Sequence, residues 1–135
     1  MYQLILQLVL AVVFGAVIGL ERESKRRGAG LQTYSLVSLG ACLFTILSFG
    51  ISNSLGNQPV IQAVAMGIGF IGAGAIIYRD PQIEGVTTAA GLWCAAAIGV
   101  AVGAKFYFLS LISAVLAVII LIVFGKFEKI FFKKV

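Results

Sequence analysis

The chain has 135 residues, room for one domain, with 61% hydrophobic and only 11% charged residues, where a soluble domain carries about 25% charged. With a mean hydropathy of +1.09, too few polar side chains remain to cover a water-facing surface, so a soluble fold is excluded. The absence of histidine rules out His-based metal sites, triads and neutral-pH switches, and the net charge of +5 bears on topology and lipid contact, with no role for nucleic acid.

Five apolar segments follow, each near the roughly 20 residues that a membrane-crossing helix needs. The first covers about residues 2–20 and ends at the charged stretch from Glu21 to Arg27. No basic region precedes Leu4 and no A-x-A pattern closes the run, so it reads as a span and not a cleaved leader. The second covers about 33–51 and gives way to an uncharged polar turn from Ser52 to Pro59. The third, about 60–78, is closed by Arg79, Asp80 and Pro81. The fourth, about 87–104, is rich in alanine and glycine and ends at Lys105; the fifth covers about 106–124. Cys42 and Cys94 both fall inside apolar runs, where thiols pack as small hydrophobes, so no disulfide is expected.

If all five segments cross, nine of the ten Lys and Arg residues fall on one side and only Lys105 on the other. Basic residues are retained in the cytoplasm, which predicts an all-α bundle of five spans with the N-terminus outside and the C-terminus cytoplasmic. One span more or fewer would destroy this asymmetry. The tail, residues 126–135, is expected to be a separate short helix lying among the headgroups: Phe127, Ile130 and Phe131 share one face, and Lys126, Lys129 and Lys133 another. A plain positive stop signal explains the same charges. Anionic lipid headgroups are the partners that such a tail implies.

Small residues recur every four positions: Ala11, Gly15 and Gly19 in the first span, Ala65, Gly69 and Ala73 in the third, and Gly91, Ala95, Gly99 and Gly103 in the fourth. Such ladders let helix backbones approach in lipid, where no hydrophobic force drives association. They serve either packing within one subunit or an interface between subunits, a homodimer first of all. The stretch from Gly67 to Trp93 holds the densest glycine cluster, with Gly67, Gly69, Gly72 and Gly74 ahead of a charged connector. Its G-x-G-x-x-G match is no nucleotide loop, because neither a strand nor a βαβ unit surrounds it. A kinked or broken helix is the other use of so many glycines.

No Asp, Glu, Lys or Arg occupies the middle of a span, which weighs against an ion-coupled carrier. The chemistry lies at the cytoplasmic boundary. Glu21, Arg22 and Arg26 leave the first span; Arg79, Asp80 and Glu84 lie in the connector; Thr33, Thr87 and Thr88 stand where the second and fourth helices begin and are candidate caps. Two helix N-termini facing this basic surface favour an anion. A competing arrangement sets Glu21, Asp80 and Glu84 around a divalent cation, with the basic surplus against it. With no nucleophile–base pair and no cofactor motif, neither an enzyme nor a cofactor is expected.

Several stretches carry a resemblance to a known family: GAVIGLERE from Gly15 to Glu23, AGLQT from Ala29 to Thr33, and LVSLGACLF from Leu36 to Phe44. GIGFIGAG from Gly67 to Gly74, GVTTAAGLW from Gly85 to Trp93, and AAAIG from Ala95 to Gly99 continue it in order. Together they resemble the MgtC/SapB membrane proteins over about residues 10–105. The resemblance implies a bacterial inner-membrane protein of five spans, linked to growth at low Mg²⁺ and survival inside phagocytes. It implies a regulator of other membrane proteins, such as a membrane ATPase or transporter, more than a transporter itself. The chain departs from the family pattern at Gln32, often Arg, near Pro59, often basic, and near Ala63, often Gln. The soluble domain that longer members carry after the fifth span has no counterpart in these residues.

Overall fold

The computed structural model describes residues 1–26, 28–51 and 58–131. Arg27, the polar turn at 52–57 and the tail beyond 131 lie outside the described residues. Five helices follow in order: α1 (Tyr2–Ser24), α2 (Leu31–Ile51), α3 (Gln58–Gly74), α4 (Val86–Gly103) and α5 (Tyr107–Phe131). An antiparallel hairpin of β1 (Ile77–Arg79) and β2 (Gln82–Glu84) joins α3 to α4. All but α3 are long and apolar enough to cross a membrane. With 17 residues, α3 extends roughly 26 Å at 1.5 Å per residue, somewhat under the ~30 Å hydrocarbon core. The chain is an all-α, multi-pass membrane bundle.

α1 runs antiparallel to both α2 and α4, which therefore run parallel to each other, and side-chain contacts fix both ends. At one end the Glu23 carboxylate accepts from the Leu31 backbone N–H at 3.0 Å, Arg22 donates to the Thr88 hydroxyl at 3.1 Å, and Lys25 donates to the Leu121 carbonyl at 3.2 Å. At the other end the Gln7 amide donates to the Val102 and Gly103 carbonyls at 3.1 and 2.8 Å. Arg22, Lys25, Arg26, Arg79, Lys126 and Lys129 therefore share the first end with the hairpin, and Lys105 stands at the second.

At the centre, α2 is gripped by α1 and α4. A Cβ on Gly15 would lie 2.6 Å from the Tyr34 carbonyl oxygen, one on Gly19 would lie 2.7 Å from the Leu31 Cα, and one on Gly103 would lie 2.7 Å from the Cys42 carbonyl oxygen. Gly99 meets the Ser38 backbone and Gly91 the Tyr34 ring just as closely, and Ala11 and Ala95 are fully buried. The α1 and α4 ladders thus serve packing within the subunit, where close backbone approach supplies dispersion contact. The α3 glycines behave differently. Gly72 meets the Ala89 Cβ at 3.4 Å, while Gly67, Gly69 and Gly74 face open space. The helix runs through all of them, so they do not break it.

Four boundaries differ from the sequence-based expectation. α1 continues through Glu21, Arg22 and Glu23, because Lys25 pairs with Glu21 one turn back and Ser24 donates to the Glu21 carbonyl at 2.7 Å. The third span stops at Gly74 and not at Tyr78: Ile76-Ile77-Tyr78 is apolar enough for a span, but its β-branched and aromatic residues pair as a strand, Tyr78 opposite Ile83. The tail is no separate helix either. α5 runs on through Gly125 to Phe131, with the Phe127 and Phe131 rings stacked 4.3 Å apart on one face as their spacing predicts. Finally, none of the expected threonine caps forms. Glu23 caps α2 from across the loop, and α4 starts at Gly85, whose φ of 87° and close approach to the Ala75 carbonyl admit glycine. Both thiols are free, Cys42 buried and Cys94 half-buried.

Candidate functional site

The basic end of the bundle carries the charged chemistry, and two residues of α1 form its centre. Glu21 and Arg22 are 8% and 4% exposed, a burial that charged side chains tolerate only when paired. Their position follows from the ladder below them: Gly15 and Gly19 draw α1 onto α2, so the turn after Gly19 emerges between α2 and α4 rather than into lipid. There the Arg22 guanidinium donates to the Thr88 hydroxyl in the first turn of α4, and its Nη1 lies 3.8 Å from the Glu21 carboxylate. The Tyr34 hydroxyl donates to the Thr88 carbonyl at 3.2 Å, and its ring lies against Gly91. Residues of α1, α2 and α4 therefore meet at Thr88. The pairing leaves Glu21 Oε2 and Arg22 Nε buried without a hydrogen-bond partner.

Of the boundary residues expected from sequence, Glu21, Arg22 and Thr88 come together. Arg26, Arg79, Asp80, Glu84 and Thr87 are exposed and stand outside that centre. The connector makes its own contact, with the Tyr78 hydroxyl donating to Asp80 Oδ1 at 3.3 Å. Among the described residues no group of three or more His, Cys, Asp or Glu side chains converges, so Glu21, Asp80 and Glu84 do not form the expected alternative cation site. The hairpin holds the two connector acids in solvent while Glu21 is turned inward. Tyr34 is the member that sequence reasoning missed. Its only signal was a lone hydroxyl aromatic in the first turn of an apolar segment.

A groove opens beside this centre between α1 and α5. It encloses about 320 Å³ and is lined by Glu21, Ser24, Lys25, Ile122, Gly125, Lys126 and Lys129. The Lys25 ammonium pairs with Glu21, donates to the Leu121 carbonyl, and passes over Gly125, where a Cβ would lie 3.6 Å from its nitrogen. Toward the Lys105 end, a second depression of about 290 Å³ between α3 and α4 is apolar, with Ile68, Trp93 and Phe106 in its wall.

The sequence model of the MgtC family matches residues 8–130, nearly the whole of this bundle. The chain belongs to the MgtC family. Among curated members, it is 39% identical over 132 residues to YhiD of Escherichia coli K12, a protein named as a candidate magnesium transporter, covering 92% of this chain and 61% of YhiD. It is 44% identical over 103 residues to MgtC of Salmonella typhimurium, covering 76% of this chain and 44% of MgtC. SrpB of Synechococcus elongatus is 36% identical over 140 residues, with 92% and 76% covered. Several of these relatives are much longer, and the chain spans roughly half to three fifths of their length. No solved structure matches it. Glu21 and Arg22 fall in the stretch Gly15–Glu23 and Thr88 in Gly85–Trp93, two of the six stretches that carried the sequence resemblance. The departing positions Gln32 and Ala63 are exposed on α2 and α3.

Proposed function

We propose that this MgtC-family chain is a bacterial inner-membrane protein of magnesium homeostasis that acts as a non-enzymatic regulator, by binding another membrane protein. The name given to its relative YhiD supports the link to magnesium. Regulation is favoured over transport by one observation above all. The interior is closed by backbone-to-backbone contact at Gly15, Gly99 and Gly103, and the buried charges Glu21 and Arg22 sit at one end instead of along a path through it. The excess of basic residues at that end sets it in the cytoplasm and the N-terminus outside. Survival of the bacterium inside a host cell is the setting in which such regulation would count.

Two surfaces suit a partner. The hairpin presents Tyr78 and Ile83 to solvent, 68% and 61% exposed, and α3 presents the open glycines Gly67, Gly69 and Gly74. The hairpin would meet a membrane ATPase or transporter. The α3 face would meet a second copy, making a homodimer. A second reading draws on that same open face: copies joined through α3 enclose a channel for Mg²⁺ or another ion between them.

The experiment combines growth and flux. A strain lacking the gene is complemented at low Mg²⁺ and photo-crosslinked from Tyr78 and Ile83, while the purified protein is tested in liposomes loaded with a Mg²⁺-sensitive dye. Restored growth, a crosslinked membrane protein and dye signals equal to empty vesicles are expected. Protein-dependent Mg²⁺ entry under an imposed gradient overturns the regulator and leaves the channel.

A further inference from the structure

The groove between α1 and α5 has the ingredients of a headgroup site. It lies at the basic end, level with the point where the apolar part of α5 gives way to Lys126. Three lysines, Lys25, Lys126 and Lys129, face it against one carboxylate, Glu21, a surplus of two positive charges. Lys25 is committed to Glu21 and to the Leu121 carbonyl. Lys126 and Lys129 form no ion pair among the described residues. They stand three residues apart on the exposed last turns of α5, so their ammonium groups lie on one side of the helix. The opposite character belongs to Phe127 and Phe131, stacked and 52% and 66% exposed, on the other side of the helix. Ile122 gives the groove an apolar wall, and its 320 Å³ is at the lower end of small-molecule sites, about 300–1,000 Å³.

Glu21 supplies a second, independent observation. Its side chain is 6% exposed and lines the groove, and although Oε2 faces the Arg22 guanidinium at 3.8 Å, it accepts no hydrogen bond. A ligand that meets both needs carries an anionic phosphodiester for Lys126 and Lys129 and a hydroxyl donor for the carboxylate. We propose that the groove binds the headgroup of a phosphatidylglycerol-type lipid. The phosphate sits between Lys126 and Lys129, a glycerol hydroxyl donates to Glu21, and the acyl chains run along the exposed apolar face of α5. The assignment is independent of the magnesium reading, since it rests on groups at the α1–α5 seam alone.

Native mass spectrometry of the detergent-solubilised full chain, titrated with phosphatidylglycerol, phosphatidylcholine and phosphatidic acid, tests it. Phosphatidylglycerol should bind tightest. The double variant Lys126→Gln/Lys129→Gln should bind it about 30-fold more weakly, the effect of two lysines near an anionic surface. A charge-matched control, Arg26→Gln/Arg79→Gln, removes the same charge from the same end outside the groove and should retain wild-type affinity. Equal losses in both double variants overturn the site in favour of general surface attraction. Equal affinity for phosphatidic acid, which has the phosphate without the glycerol hydroxyls, overturns the role of Glu21. Full displacement of the lipid by millimolar inorganic phosphate overturns the lipid as ligand.

Discussion

Alanine at Gly15 and alanine at Gly67 are the same chemical change in two apolar helices, and the fold gives them opposite outcomes. At Gly15 the new methyl would lie 2.6 Å from the Tyr34 carbonyl oxygen, 2.9 Å from the Ser38 Cβ and 3.0 Å from the Ser35 Cα. Two of these neighbours are backbone, so α1 and α2 must separate by roughly 0.4 to 0.8 Å to bring the first contact into the 3.0–3.4 Å range. Overpacking of this kind costs about 1–3 kcal/mol, and the better helix propensity of alanine returns about 1 kcal/mol. Gly15→Ala should therefore lose up to about 2 kcal/mol, and Gly15→Leu distinctly more. At Gly67 nothing lies within 4 Å, so only the propensity gain remains, and Gly67→Ala should be neutral or up to about 1 kcal/mol more stable. Reversible unfolding in mixed micelles, followed by helical circular dichroism, reads both. A Gly15→Ala protein as stable as wild type, beside a destabilised Gly67→Ala protein, would refute the placement of α2 against α1 and put the critical interface on α3.

Three further outcomes follow from the same contacts. Arg22→Ala removes a charged hydrogen bond to Thr88 and a partner of buried Glu21, and should cost about 1.5–3 kcal/mol; Glu84→Ala, on the exposed hairpin, should stay within about 0.5 kcal/mol, both in the same unfolding assay. Gln7→Leu strips two carbonyls at the end of α4 of their donor and should cost about 1–3 kcal/mol, with faster amide exchange at Lys105 and Phe106. Gly85→Ala places a methyl into the Ala75 carbonyl at a φ of 87° and should cost at least about 1–2 kcal/mol, seen as loss of the tyrosine near-ultraviolet signal from the hairpin.

The parts of the fold legible in the sequence are those set by spacing along one helix or by charge counted along the chain. Four-residue ladders in α1 and α4 mark a close-packing face whatever it packs against, and the lone Lys105 against nine other basic residues requires an odd number of crossings. What escaped depended on partners distant in sequence. Tyr34 reaches Thr88 across 54 positions, and Gln7 reaches α4 across 95, so neither side chain announces its role locally. The open glycines of α3 look the same in sequence as the buried ones of α4, because the stripe alone does not say whether a neighbour is present. The hairpin was hidden for a different reason: Ile76, Ile77 and Tyr78 suit a strand as well as they suit a span, and hydropathy does not separate the two. At the candidate site, Arg22 and Glu21 stand out as charges following directly on an apolar run, whereas Asp80 and Glu84 join them in sequence only because both segments fall on the same basic side of the bundle.

The Gln7 amide also dictates an order of assembly. Glu23 can close onto Leu31 as soon as the first loop is made, so α1 and α2 form a finished hairpin early. The carbonyls that Gln7 serves are 95 and 96 residues later, which at about 5–20 residues per second is roughly 5–20 s of synthesis. Throughout that interval a primary amide on the first helix waits in or beside the membrane without its final acceptors. The nascent chain needs a wet or protein-lined shelter until α4 arrives, and the helix that starts the bundle is among the last to be completed.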